Sequence, residues 1–224
     1  MTDKNKSITF PQPHVRLLLM CGVMTTVWYF LINIIVPLQY EGYSIASQTI
    51  SELSAIDAPT RALWNFLCAF YTLLLIAFGC GIALSSGANP KMRLAAMLII
   101  INGIFGFFWP PMHQRQVLAA GGGTLTDTLH IAWTIMHAVF TLTIIGLASS
   151  ALGKGFRIYS AVTVVSFFVF GILTAMESPG INTGNATPYI GIWERINIGA
   201  SMVWMAVLAI VLLRRQRRLS LGYF

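Results

Sequence analysis

From Leu129 to Met176 the chain carries only two residues of the Asp, Glu, Lys and Arg set, Lys154 and Arg157. About a quarter of the residues of a soluble domain are charged, so a stretch this long cannot form part of a water-facing exterior. Four further runs lack all four charged types: Leu17–Val36, Ala62–Leu84, Leu94–Pro110 and Ile196–Leu213. The break Gly153-Lys154-Gly155-Phe156-Arg157 divides the longest run into Leu129–Ala148 and Ile158–Met176. Each segment approaches the roughly 20 residues that a helix needs to cross a bilayer, where backbone groups must be satisfied within the segment itself. Composition agrees, with 56% hydrophobic residues, 9% charged residues and a mean hydropathy of +0.74. The expected fold is all-α, a polytopic membrane bundle forming a single domain over residues 1–224. Its six transmembrane helices fall near 17–36, 62–84, 94–110, 129–148, 158–176 and 192–213, followed by a basic tail at 214–224.

The net charge of +7 does not describe a nucleic-acid binder, because the basic residues sit at helix ends rather than in one patch. Lys4, Lys6, Arg16, Lys91, Arg93, Lys154, Arg157, Arg214, Arg215, Arg217 and Arg218 all fall on one side of the spans. The positive-inside rule makes that side cytoplasmic and puts both termini there. The first apolar run continues into Pro37-Leu38-Gln39-Tyr40 without a small-x-small cleavage pattern, which reads as an uncleaved helix rather than a secretion signal. Cys21, Cys68 and Cys80 lie inside spans without metal-type spacing and read as packing residues.

The opposite side holds Arg61, Arg115 and Arg195 together with Glu41, Glu52, Asp57, Asp127, Glu177 and Glu194. Acids contribute little to topology, so this bias points to a site. In the loop 38–61, Thr49 precedes Glu52 by three residues, the spacing of a capping box. Ile45, Ile50, Leu53 and Ile56 suit a short helix lying on lipid headgroups. Asp57-Ala58-Pro59 reads as an N-cap and first turn leading into the second span. Trp109-Pro110-Pro111-Met112-His113 is a helix stop, Gly121-Gly122-Gly123 a flexible turn, and residues 178–189 turn chemistry.

The strongest local pattern is on the fourth span, where Asp127, His130, Thr134, His137 and Thr141 recur at steps of three and four. That spacing places them on one helix face, with His137 roughly 10 Å deeper than His130. Ionisable groups at such depth face a bundle interior or a water-filled cavity. Weaker stripes are Glu194, Asn197 and Ser201 on the sixth span, Gly22, Thr26, Tyr29 and Asn33 on the first, and Asn65, Cys68 and Thr72 on the second. Packing that hides them from lipid makes a polar cavity open to the non-cytoplasmic side.

Three functions fit such a cavity. In an enzyme acting on a lipid-linked or amphiphilic substrate, His130 is general base or metal ligand, Asp127 orients it and His137 is a deeper partner. Glu52, Asp57 and Glu194 shape the mouth, and Ser51, Ser54, Arg61, Glu177 and Arg195 contact substrate. No G-x-S-x-G elbow singles out a nucleophile between Ser51 and Ser54. His113, Asp127 and His130 form a ligand set for a divalent metal such as zinc, although no H-E-x-x-H spacing accompanies them. A transporter or small-ligand and ion-binding protein uses the same carboxylates and imidazoles as a proton path or cation site. A scaffold explains the Thr, Asn, Ser and Gly positions as helix contacts, but not the histidines and acids.

The stretch Ser51-Glu52-Leu53-Ser54-Ala55-Ile56-Asp57-Ala58-Pro59-Thr60-Arg61, with Leu129-His130 and Glu194-Arg195 at the heads of two spans, resembles the domain-of-unknown-function 998 family. That family comprises prokaryotic six-span membrane proteins, so the resemblance implies this topology and a bacterial inner membrane. Phe108-Trp109-Pro110-Pro111 departs from the family's Phe-Pro-x-Asp by losing the acid. The outer-face Ser, Asp and His on a helical bundle are also similar to the superfamily of membrane hydrolases that includes the alkaline ceramidases. The third deep histidine of that pattern is missing here.

Overall fold

The computed structural model describes residues 13–220, so Lys4, Lys6 and the last residues of the expected basic tail lie outside the described residues. Among those described the chain is helical throughout, without a strand. The helices are α1 (Pro13–Ile35), α2 (Arg61–Ser85), α3 (Pro90–Gly106), α4 (Arg115–Ala119), α5 (Leu125–Ala151), α6 (Lys154–Glu177), α7 (Pro179–Thr183) and α8 (Ile190–Ser220). Short 3-10 turns at Pro37–Gln39 and Ile50–Ser54 lie between α1 and α2. Five helices, α1, α2, α5, α6 and α8, are long and apolar enough to cross a membrane, which makes this a membrane protein. The remaining expected span, 94–110, corresponds to α3, which starts and ends four residues earlier. Asn89 caps its start by accepting from the N–H groups of Lys91 and Met92, with Pro90 in the first turn.

The long helices form a closed ring in which each packs on the next: α1 on α2, α3, α5, α6, α8 and back to α1. At the end bearing the α2–α3 and α5–α6 links, the centre is filled by Leu19, Phe78, Ile82, Ala96, Ile145, Ala148, Trp204 and Leu208. Close approach there depends on glycine, since a Cβ on Gly81 would lie 2.9 Å from the backbone of Leu18 and Leu19. Outward-facing Leu17, Phe66, Ile131, Val162 and Val165 are exposed, as side chains in contact with lipid must be.

The opposite end carries three loops, folded onto one another. The turn Ile50–Ser54 buries Ile50 and Leu53 against Ile32, Val36 and Trp64. Two of the four isoleucine and leucine residues expected on headgroups thus face the core instead, because the loop folds back over the helix ends. Asp57 does not cap α2. It adopts a left-handed conformation (φ 63°) in an exposed turn, and α2 starts at Arg61 behind Thr60, whose hydroxyl donates to Leu53 O at 2.8 Å.

Candidate functional site

The loop turn carrying Ser51 is held on every side. Its capping box forms as expected: Glu52 accepts from the Thr49 backbone N–H at 2.7 Å and the Thr49 hydroxyl at 3.0 Å. Glu52 is buried, 3% exposed, and its charge meets Arg115, whose Nε and Nη2 donate to the two carboxylate oxygens at 2.6 and 2.8 Å. Arg115 also donates to Ser47 O and to the Thr187 hydroxyl, joining all three outer loops through one guanidinium. The carboxylate holds the guanidinium more firmly protonated than usual.

The head of α8 clamps the same loop from another side. Glu194 accepts the Ile50 N–H, and Arg195 donates to Ile45 O, Gln48 O and the Tyr43 hydroxyl. Burial pushes the Tyr43 phenol up to about 12, so it remains a neutral donor to Thr49 O at 2.7 Å. Gly191 donates its N–H to Ala46 O at 2.9 Å, and a Cβ there would collide with Gln48 O and Ile45 O. Gly191→Ala should therefore displace the loop and cost about 1–3 kcal/mol by overpacking. Thermal unfolding of the detergent-solubilised variant checks this, and an unchanged midpoint would count against the clamp.

His130, 8% exposed, points into this assembly from the second turn of α5. Its Nε2 lies 3.1 Å from Ser51 Oγ. Its Nδ1 lies 2.7 Å from Pro110 O and 3.1 Å from the Trp109 indole nitrogen. One nitrogen cannot donate to the carbonyl and accept from the indole at once, so the two contacts belong to different tautomers. In the one that serves the carbonyl, Nδ1–H donates to Pro110 O, and Nε2 is left as an acceptor for the Ser51 hydroxyl. This is the geometry of a nucleophile and its base, with the base oriented by a third group. Trp109 places its ring edge-on between the two histidines, 5.4 Å from His130 and 5.7 Å from His137, so His137 joins the site through an aromatic contact.

The carboxylates expected around His130 are distributed otherwise. Asp127 serves His113, accepting from its backbone N–H at 2.7 Å and pairing with its ring Nδ1 at 2.8 Å. It also closes a capping box with Thr124 at the start of α5. The i, i+3 pairing of Asp127 with His130 is thus replaced by a loop contact, because the first turn of a helix presents unsatisfied N–H groups that an acid at that position caps. Glu177 accepts from the Tyr189 N–H and the Trp193 indole. The Ser54 hydroxyl donates to Ser51 O, Asp57 stays in its exposed turn, and Arg61 forms no ion pair among the described residues. The ligand set His113, Asp127 and His130 does not assemble either: His113 faces Asp127 while both ring nitrogens of His130 face other partners. No group of three His, Cys, Asp or Glu side chains converges among the described residues.

Trp109, the Pro110 carbonyl and Arg115 are the contributors that sequence reasoning did not place at a site. The signal for Arg115 was its position as one of three arginines amid six acids; Trp109 and Pro110 were marked only by the helix stop and by the stretch Phe108-Trp109-Pro110-Pro111, where the family's acid is missing. No curated protein and no solved structure matches the chain. Residues 23–211, from α1 through α8, match the family described as protein of unknown function DUF998, and the chain belongs to that family.

Proposed function

We propose that this protein is a membrane-embedded serine hydrolase acting on an ester-bearing lipid or lipid-linked substrate at the outer face of a bacterial inner membrane. The observation that carries this reading is the Ser51 Oγ to His130 Nε2 contact, with Nδ1 anchored on Pro110 O. Ser51 Oγ attacks the ester carbonyl carbon as its proton passes to His130 Nε2. The C–O bond to the alcohol then breaks, and His130 returns the proton to the leaving oxygen. Water, deprotonated by the same nitrogen, releases the acid and restores Ser51. In this reading α3 is the sixth span: its 17 residues cover about 25 Å, near the lower limit for crossing, and it is flanked by α2 and α5. The basic links then face the cytoplasm and the Ser51 loop faces the periplasm. The carrier reading has less support, since Glu52, Asp127, Glu177 and Glu194 are each committed to partners nearby.

The test is covalent labelling by a long-chain alkyl fluorophosphonate, in which a Ser51 Oγ–P bond forms and fluoride leaves. Wild type should carry the adduct on Ser51 by mass spectrometry, Ser51→Ala should carry none, and His130→Ala should react at least about 100-fold more slowly. Labelling elsewhere, or at an unchanged rate in His130→Ala, would overturn the assignment.

A further inference from the structure

Helices α5 and α6 close against each other at one end of the bundle and separate at the other. Besides His130, the buried residues of α5 are Ile144, Ile145 and Ala148, all in its cytoplasm-directed half. Those of α6 are Ser160 and Thr163, again in that half. Thr134 and Ile145 are about three turns apart and project from the same side of α5. Ile145 is 1% exposed, whereas Thr134 is exposed, although its neighbour one turn earlier is the buried His130.

The neighbouring packing explains the gap. Outer α5 leans on α3, where Trp133 donates to Phe105 O and the Phe105 ring meets Trp133 and Phe140. Outer α6 leans on α8 instead, with Asn197 donating to Phe167 O and Phe170 stacked on Trp193 at 5.8 Å. The two helices touch each other less than either touches its other neighbour, and away from the Leu152–Gly153 link they splay. α4, just before α5, packs on α7, just after α6, so the loop ends of the two helices are bridged and the free direction between them is lateral. Thr134 lies about 6 Å below His130 along the axis, at hydrocarbon depth, and Ile131, Ile135, Phe168 and Ile172 on the two helices are exposed. At that depth the bilayer offers acyl chains and little else.

From this we infer that the outer α5–α6 seam is a lateral entry through which the acyl chain of an outer-leaflet lipid slides in while its ester reaches Ser51. The inference rests on the hydrolase reading and names its substrate class: long-chain esters presented from the membrane, not soluble esters. It is tested on the full chain in lipid vesicles with two fluorophosphonates, one hexadecyl and one methyl. Thr134→Trp should slow Ser51 labelling by the hexadecyl probe at least about tenfold while changing the methyl probe by less than about twofold, the selectivity of a narrowed apolar passage. Leu73→Trp, exposed on α2 away from the seam, should change neither. To separate blockage from misfolding, Thr134→Cys in a background with Cys21, Cys68 and Cys80 replaced by alanine is folded first and then alkylated with a bulky maleimide. Alkylation must reproduce the selective loss. Equal slowing of both probes by the alkylated variant, or no slowing of the hexadecyl probe, overturns the lateral entry while leaving Ser51 as nucleophile. A wild type labelled by neither probe defeats the hydrolase reading itself, and the entry route with it.

Discussion

Arg115→Ala should be the most destabilising single substitution in the outer loops, costing about 3–5 kcal/mol, because it leaves a buried carboxylate without its counter-charge. Glu52 is 3% exposed, and its two oxygens are shared among Arg115, Gln48 and Thr49. Removing the guanidinium takes away two charge-assisted bonds and also the bonds to Ser47 O and Thr187. Arg115→Lys should recover little, since one ammonium cannot reproduce a planar fork reaching three loops. Glu52→Gln should cost less, about 1–3 kcal/mol, because the amide still accepts one bond and no unpaired negative charge is buried. Unfolding of detergent-solubilised variants, followed by heat or denaturant, orders the three. An Arg115→Ala loss below about 1 kcal/mol would mean that the pair behaves like a solvated surface bridge.

That ion pair also shows where the sequence stops being legible. The Thr49–Glu52 capping box was readable because both partners lie within one turn. Arg115 is 63 residues away on another loop, and local spacing carries no information about which loops meet. The five long apolar helices were readable because hydropathy is a property of each segment alone, and α3 starts four residues before the expected run, where Asn89 and Pro90 supply a stronger start. The polar stripe on α5 was real as a face, yet its members separate in use. Asp127 sits in the first turn, where it caps the helix and holds His113. His130, one turn on, faces a different loop altogether. Periodicity places residues on a face but not opposite a partner. Ser51 could not be chosen over Ser54 because adjacent hydroxyls on a short turn differ only in what stands across from them. Here His130 stands across from one, and a backbone carbonyl from the other.

If Ser51 and His130 act as one unit, removing both should cost no more than removing either. Ser51→Ala abolishes the attacking oxygen, and a base without a nucleophile contributes nothing further; His130→Ala leaves a hydroxyl with no proton acceptor. Turnover of a long-chain ester in vesicles should therefore fall by at least about 100-fold in each single variant, and the double variant should share the same floor, the non-additivity expected of residues that act together. KM should move little, because substrate binding along the seam does not use either group. The structural environment sharpens the contrast with a packing role. Ser51 is half-buried and, among the described residues, its hydroxyl is hydrogen-bonded to His130 alone, so its loss opens no sizeable cavity and should leave the unfolding midpoint near that of wild type. Additive losses in turnover, or a fall in stability that tracks the fall in rate, would assign the contact to the architecture of the loop and not to chemistry.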